Sequence, residues 1–192
     1  MLEEEYNPRR RLPAHLRPAR APEPSFEFRI RDAVATDLPH VREIYNHYVA
    51  NSTVTFDEEA TTLAELRAKF RQVEKLGYPW LIAESPGGQV LGYAYVTPWR
   101  QRAAYRFTVE NAIYLGPAST GKGLGAALMS ELLARSKAAG IKEVIAVIAD
   151  KGAEASIRMH ERFGFRQIGH MGRVGFKFGR WLGTVLLQKS LK

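Results

Sequence analysis

Beyond a proline-rich start, apolar and polar residues alternate in patterns that predict strands and helices. Phe26, Phe28 and Ile30 are separated by charged residues, and this period of two predicts a first strand. Apolar residues then recur every three or four positions over 41–49, which predicts a helix of about four turns. Thr36 is the expected N-cap of this helix, because its hydroxyl can accept a hydrogen bond from a free backbone N–H at the helix start.

A capping-box pattern predicts a second helix, since Thr62 precedes Glu65 by three positions and apolar residues follow at helical spacing as far as Gly77. The remaining pattern predicts a hairpin of Trp80–Glu84 and Val90–Thr97, a strand at Thr108–Leu115, a helix from the glycine-rich loop 116–125 to Gly140, a strand at Val144–Ala149, a helix at 154–163, a strand from Phe165 and a last strand at Thr184–Leu187. The order β-α-α-β-β-β-α-β-α-β-β predicts an α/β fold around a mixed sheet.

Composition separates the first 25 residues from the rest. Five of the ten prolines lie there, among Arg, Ala and Glu, which predicts an extended leader at 1–25 and a folded domain at 26–192. We expect neither a secretion signal nor a membrane span, because no apolar run has the required length. The chain has no cysteine, which excludes disulfides, thiolate metal sites and cysteine nucleophiles and leaves the cytoplasm as the expected compartment.

The formal net charge is +8, from 28 Lys and Arg against 20 Asp and Glu. Positive charge alone suits an anionic small molecule, a phosphate-bearing cofactor or a nucleic acid. No zinc-finger spacing, helix-turn-helix or RNA-recognition signature accompanies it, so a basic nucleic-acid-binding module is a remote alternative. The five histidines show no metal-ligand spacing, and we expect no metal site.

The glycine-rich segment Thr120–Gly125 follows a predicted strand and opens a predicted helix, so its backbone N–H groups can converge on an anion. A left-handed turn without a ligand is equally compatible with the glycines. A Walker A loop is disfavoured because Gly123 stands where a Ser or Thr must bind Mg²⁺, and a dinucleotide fingerprint has a different glycine spacing. Gly123-Leu124-Gly125 matches the second half of the GNAT coenzyme A loop, Gln/Arg-x-x-Gly-x-Gly/Ala.

Eight short blocks between residues 28 and 190 extend this likeness. They are Tyr45–Tyr48, Ser52–Phe56, Tyr78–Glu84, Pro98–Arg100, Thr108–Glu110, Ala146–Ile148, Ser156–Glu161 and Gly175–Trp181. In this order they resemble the phosphinothricin and methionine sulfoximine N-acetyltransferase branch of the GNAT family. The resemblance implies the GNAT acyltransferase fold, with a mixed, mostly antiparallel central sheet flanked by helices. It also implies a homodimer.

The activity implied by the resemblance is acetyl-CoA-dependent acetylation of the α-amino group of a small amino acid analogue, such as phosphinothricin, methionine sulfoximine or methionine sulfone. Another acceptor, such as a peptide N-terminus or a different small amine, remains open. Glu110 is the candidate general base, because an α-ammonium group must lose a proton before it attacks the thioester. His160 is the second catalytic candidate, either protonating the departing thiolate or assisting proton removal.

The resemblance also implies binding residues. The candidates for coenzyme A are Ile113, Tyr114, Leu115, Gly121, Lys122, Gly123, Leu124, Gly125, Ala126 and Ser156. The candidates for the acceptor are Phe56, Arg100, Gln101, Arg102, Glu110 and Phe178, with the arginines offering forked donors to acidic groups. Three positions depart from the family pattern: Thr120 replaces a usual Gln or Arg, Ala153 a frequent Asn, and Gly183 a usual Asp.

Overall fold

The structure is a computed structural model and describes residues 26–192; the predicted leader at 1–25 lies outside the described residues. The elements in chain order are β1 (Arg29–Asp32), α1 (Leu38–Asn51), α2 (Leu63–Lys75), β2 (Trp80–Glu84), β3 (Val90–Pro98), β4 (Thr108–Leu115), α3 (Leu124–Ala138), β5 (Glu143–Ala149), α4 (Glu154–Arg162), β6 (Arg166–Lys177) and β7 (Arg180–Ser190). The predicted order of strands and helices is confirmed.

The start of the first helix differs from the prediction. Thr36 is not its N-cap but lies inside a short 3-10 turn, Ala35–Asp37, that leads into α1. Asp37 organises this turn, because its carboxylate accepts the Val34 N–H at 2.8 Å and is held by Arg31. The predicted cap was wrong because α1 begins only at Leu38, after the turn, with Asp37 at the N-cap position and its carboxylate bound to Val34 and Arg31.

The outer strands also differ in length from the prediction. The first strand begins at Arg29 rather than Phe26, because Arg29 pairs with Glu84, the last residue of β2. The final strand is longer than Thr184–Leu187, because β7 pairs with β5 on one side and β6 on the other. Strand length here follows from the available partners.

The strands form one sheet in the order β1-β2-β3-β4-β5-β7-β6. β4 and β5 run parallel, whereas the other neighbours are antiparallel. The parallel pairing covers three residue pairs and ends at Glu110 and Ile145. Beyond that point β4 remains with β3 as far as Leu115, and β5 remains with β7 as far as Ala149. A gap therefore opens between β4 and β5.

Each face of the sheet carries its own core. Residues of α3 pack on one face, which also receives His160 of α4 and is called the α3 face below; α1 and α2 cover the opposite face, called the α1–α2 face. Along β4, Val109 and Ile113 belong to the α3 face, and Ala112 and Tyr114 to the α1–α2 face. This alternation decides which β4 side chains can meet. Among the described residues, no helix is long and apolar enough to cross a bilayer.

Candidate active site

Glu110 stands where β4 and β5 separate, opposite Ile145 in the last parallel pair. Its place in the alternation directs its side chain to the α1–α2 face, the face of Tyr114. Burial raises the pKa of the Glu110 carboxyl, while the positive charges of Arg100 and Lys69 act in the opposite direction. The carboxylate is therefore a stronger proton acceptor than an exposed glutamate and faces two cations.

Tyrosine rings lie on the face of the sheet toward which the Glu110 carboxylate is directed, and each ring carries a polar hydroxyl. Tyr45 and Tyr114 meet edge to face with ring centroids 5.2 Å apart, and Tyr95 lies on the same face. The Tyr45 hydroxyl donates to Asp57, and burial together with that carboxylate raises the pKa of Tyr45 to about 12. Lys69 Nζ lies 5.8 Å from the centroid of the Tyr95 ring. The surroundings of Glu110 thus contain an aromatic wall, a carboxylate and a rim cation.

Sequence reasoning missed Lys69 and Asp57. Lys69 lies on the exposed side of α2, and only the apolar residues of that helix were used to predict it. Asp57 lies in a loop just after the block that ends at Phe56. Neither residue stands in a local motif. Their relation to Glu110 depends on how α2 and the loop pack on the sheet.

The predicted acceptor residues are not all equivalent in the structure. Arg100 stacks on Trp99, with its guanidinium carbon 4.6 Å from the ring centroid, and its charge reaches Glu110. Gln101 and Arg102 are exposed in the same loop between β3 and β4. Of this predicted trio, Arg100 has the clearest relation to the site.

The two predicted aromatic residues lie where the β6–β7 hairpin meets the loop after α1. Phe56 packs so closely on Gly175 that a Cβ there would come within 2.5 Å of its ring. Phe178 sits in the hairpin turn at a φ of 51° and is 55% exposed. Between them, the buried Lys177 ammonium donates to the carbonyl oxygens of Ser52 at 2.9 Å and Thr55 at 2.8 Å. The hairpin and the loop are therefore locked together.

The predicted coenzyme loop has the backbone form that anion binding requires. Gly121 and Gly123 have φ values of 75° and 80°, in the left-handed region. The first hydrogen bond of α3 runs from the Ala127 N–H to the Gly123 carbonyl, so the amides of Gly123–Ala126 have no partner within the helix. Lys122 lies over the Phe26 ring, 4.5 Å from its centroid. The backbone amides, rather than the lysine, form the cradle at the positive end of α3.

The predicted contacts along the coenzyme arm lie on β4 beyond Glu110, where its edge no longer pairs with β5. Ile113, Tyr114 and Leu115 belong to this stretch. The Leu115 carbonyl already accepts the Tyr48 hydroxyl at 2.7 Å. The backbone of Ile113 and Tyr114 is therefore the better candidate for ligand hydrogen bonds.

His160 is buried on the α3 face and held at both ring nitrogens. Nδ1 lies 2.8 Å from the Ser156 carbonyl oxygen, and Nε2 lies 3.0 Å from Asn111 Nδ2. A carbonyl can only accept, so Nδ1 carries the proton, and Nε2 of the neutral ring accepts the Asn111 N–H. Burial lowers the pKa of His160, which favours this neutral form.

The two catalytic candidates consequently lie on different faces of β4. Asn111, the neighbour of Glu110, contacts His160 on the α3 face, whereas Glu110 faces Tyr95 and Lys69. Both flank the point where β4 and β5 separate. A ligand passing through that gap has the carboxylate on one side and the imidazole on the other.

The profile of the acetyltransferase (GNAT) family matches residues 41–165. The chain belongs to the GNAT family. This GNAT chain is 43% identical over 155 residues to the phosphinothricin N-acetyltransferase of Alcaligenes faecalis, covering 81% of the chain and 78% of that protein. It is 42% identical over 162 residues to the L-methionine sulfoximine/L-methionine sulfone acetyltransferase of Pseudomonas paraeruginosa, covering 84% and 94%.

Among solved structures, the GNAT chain is similar to a phosphinothricin acetyltransferase of Sinorhizobium meliloti crystallised with AcCoA. The TM-score is 0.82 at 45% identity, over 85% of this chain and 88% of that one. The predicted family resemblance and fold are confirmed. Among the described residues of this acetyltransferase, no three His, Asp or Glu side chains cluster as metal ligands.

The structure shows what surrounds the three positions that depart from the GNAT pattern. The Thr120 hydroxyl donates to the Pro117 carbonyl at 3.3 Å and so closes its own turn. Ala153 precedes α4 without a side-chain cap, and Glu154 accepts the Gly152 N–H at 3.0 Å there. Gly183 is buried against Asp150, which accepts its N–H at 3.0 Å.

Proposed function

We propose that this GNAT domain is an acetyl-CoA-dependent N-acetyltransferase of small amino acid analogues such as phosphinothricin, methionine sulfoximine or methionine sulfone. The observation that carries the proposal is the half-buried Glu110 at the β4–β5 separation, facing Arg100 and Lys69. A carboxylate that can take a proton from an ammonium group, beside cations that can pair with acidic groups, suits an amino acid acceptor. The printed activities of the relatives from Alcaligenes faecalis and Pseudomonas paraeruginosa support the same substrate class.

The donor site is proposed at the glycine loop and the open edge of β4. The free amides at Gly123–Ala126 fit a pyrophosphate, and the AcCoA complex of the similar Sinorhizobium meliloti structure supports this donor. Gly121, Lys122 and Ser156 complete the proposed cradle, with the backbone of Ile113 and Tyr114 along the coenzyme arm. Acetyl-CoA supplies the acetyl group as a thioester.

In the proposed reaction, Glu110 removes a proton from the α-ammonium group, directly or through water. The neutral nitrogen then bonds to the acetyl carbon and the carbon–sulfur bond breaks. The nitrogen gives up a second proton to form the amide, and that proton passes through water to the leaving thiolate. Arg100 and Lys69 orient the acceptor through its acidic groups, while Phe56 and Phe178 form the far wall. His160 is not proposed to protonate the thiolate, because burial keeps the ring neutral and its one proton, on Nδ1, is directed to the Ser156 carbonyl.

The test follows thiol release from acetyl-CoA with a thiol reagent, offering each of the three named acceptors. The chain has no cysteine, so the protein contributes no background. Glu110→Gln should lower kcat by about a hundredfold or more, the usual contribution of a positioned base, with partial recovery at high pH. The matched control Glu74→Gln changes an exposed carboxylate of α2 and should match the wild type. Unchanged turnover by Glu110→Gln would refute the base assignment.

A homodimer is proposed on the β6–β7 hairpin. Large apolar side chains there are exposed by 44–55%: Ile168, Met171, Val174, Phe176, Phe178 and Trp181. Such a patch on an edge strand fits a second copy of the chain. Val174→Lys should convert a dimer to a monomer in sedimentation equilibrium, and a monomeric wild type would contradict the proposal.

A cytoplasmic location is also proposed. The absence of cysteine and the use of acetyl-CoA support it.

A further inference from the structure

Asn111 presents a buried polar atom that the protein itself does not satisfy. The residue is 8% exposed, and its Oδ1 has no hydrogen-bond partner among the described residues. Its Nδ2, by contrast, donates to His160 Nε2 at 3.0 Å. Buried amide oxygens in folded proteins nearly always have a donor. The unpaired oxygen therefore points to a donor that arrives with a ligand.

The orientation of the Asn111 amide follows from its neighbours. Reversing it would place Oδ1 against His160 Nε2, which would then need a proton of its own. Because Nδ1 already carries a proton toward the Ser156 carbonyl, the imidazole would become a buried cation. The groups that contact the ring are Asn111 from β4, Ser156 from α4 and the Phe165 ring, and none of them carries a charge. The Ser156 carbonyl favours the protonated ring, but burial outweighs it and lowers the pKa of His160, so the neutral ring is preferred and Oδ1 faces away from it.

Asn111 also lies at the point of β4 where a ligand in the gap between β4 and β5 could reach its side chain. It is the first residue after the last β4–β5 pair, Glu110 and Ile145, and so borders the gap between these strands. Ile113 and Tyr114 follow it on the same strand. An arm lying along this edge brings amide N–H groups and, at its reactive end, a sulfur. Either an amide N–H of the arm or, once the acetyl group has left, the thiol S–H of coenzyme A can donate to Oδ1.

We propose that Asn111 is a positioning residue that holds His160 as the neutral Nδ1–H tautomer through Nδ2 and accepts a hydrogen bond from the bound acyl carrier through Oδ1. The Oδ1 contact rests on the proposed function, since it requires coenzyme A in the gap. The tautomer of His160 concerns the protein alone. The His160 ring therefore presents no N–H at Nε2, the nitrogen that faces Asn111.

The tautomer is tested on the full chain without ligand by ¹⁵N NMR of the imidazoles. His160→Gln assigns the His160 signals, and the exposed His40 and His170 serve as internal references. The wild type should show a protonated Nδ1 and an unprotonated Nε2. Asn111→Asp should protonate Nε2 and raise the pKa of His160 by more than about one, because a carboxylate favours the imidazolium. An Nε2–H tautomer in the wild type, or an unaltered ring in Asn111→Asp, would overturn this half.

Binding of coenzyme A, measured by calorimetry, tests the Oδ1 contact without turnover. Asn111→Leu should lose about three- to tenfold in affinity, the usual worth of one hydrogen bond. The wild type should bind desulfo-coenzyme A as tightly as coenzyme A if an amide N–H is the donor, and more weakly if the thiol is. Equal affinity of wild type and Asn111→Leu for coenzyme A would overturn the contact.

A second variant keeps the binding test decisive if Asn111→Leu fails to fold. Asn111→Ser leaves a smaller polar group and should show the same loss of affinity. If the wild type binds coenzyme A but acetylates none of the three acceptors, the proposed substrate class fails and the Asn111 contact is still measured. If the wild type does not bind coenzyme A, the contact fails together with the donor assignment, while the tautomer result stands by itself.

Discussion

At Gly183, where the family pattern usually has Asp, close packing of neighbouring segments leaves no room for a side chain. Gly183 is buried in β7, and a Cβ added there would lie 2.5 Å from Asp150 Oδ2 and 2.5 Å from the Met171 carbonyl oxygen. The Asp150 carboxylate could rotate away at the loss of its bonds to Gly183 N–H and His170. The Met171 oxygen belongs to the backbone of the neighbouring strand β6 and cannot rotate. Any side chain at 183 must therefore push the strands apart.

Overpacking of this kind costs about 1–3 kcal/mol. For a domain of this size each kcal/mol lowers Tm by about 2–4 °C, so Gly183→Ala should melt about 2–12 °C below the wild type. Gly183→Asp, which restores the residue usual in the family, should be worse, because it also places a second carboxylate beside Asp150. Thermal unfolding followed by circular dichroism measures both variants.

The matched control is Gly172→Ala in β6, where an added Cβ meets nothing within 4 Å and φ is not in the left-handed region. It should melt close to the wild type. A Gly183→Ala protein as stable as Gly172→Ala would show that the strands accommodate the methyl group. The steric account of this departure from the family pattern would then be wrong.

Three further predictions follow from other contacts. Lys177→Met should lower the free energy of unfolding, measured with urea, by about 1–3 kcal/mol, because two buried carbonyls lose their hydrogen-bond donor. Lys75→Met, which changes an exposed lysine, should leave that free energy unchanged, and equal stability of the two variants would contradict the prediction. Burial lowers the pKa of His160 below its ordinary value of 6.5, so the stability it contributes is present above that pH and is lost as pH falls through the lowered pKa. The free energy of unfolding of His160→Gln should therefore change less than that of the wild type between about pH 7.5 and about pH 5, and identical pH profiles of the two proteins would refute this. Gly123→Ala should raise the KM for acetyl-CoA because φ is 80° there, whereas Gly140→Ala, at φ 85° beyond the far end of α3, should lower stability without changing that KM.

Elements with local causes could be predicted from the order of residues alone. The capping box is confirmed: the Thr62 hydroxyl accepts the Glu65 N–H at 3.2 Å, and the Glu65 carboxylate accepts the Thr62 N–H at 2.8 Å. β4 spans the predicted Thr108–Leu115 because its apolar pattern and flanking breakers are contiguous in the chain. Motif order was enough to identify the family, since eight blocks in one sequence constrain the fold more than any single glycine loop.

Tertiary structure decided the features that join distant segments. Asp37, not Thr36, stands at the N-cap position of α1, and its carboxylate binds Arg31, which also reaches Glu84 on the neighbouring strand. Lys69 comes to Glu110, and Asn111 to His160, through the packing of helices on opposite faces of the sheet. No local sequence pattern predicts these contacts, because they depend on strand register and on the face of the sheet to which each side chain points. The identity of the candidate residues was readable from sequence, whereas their protonation and mutual placement follow from burial and long-range contact.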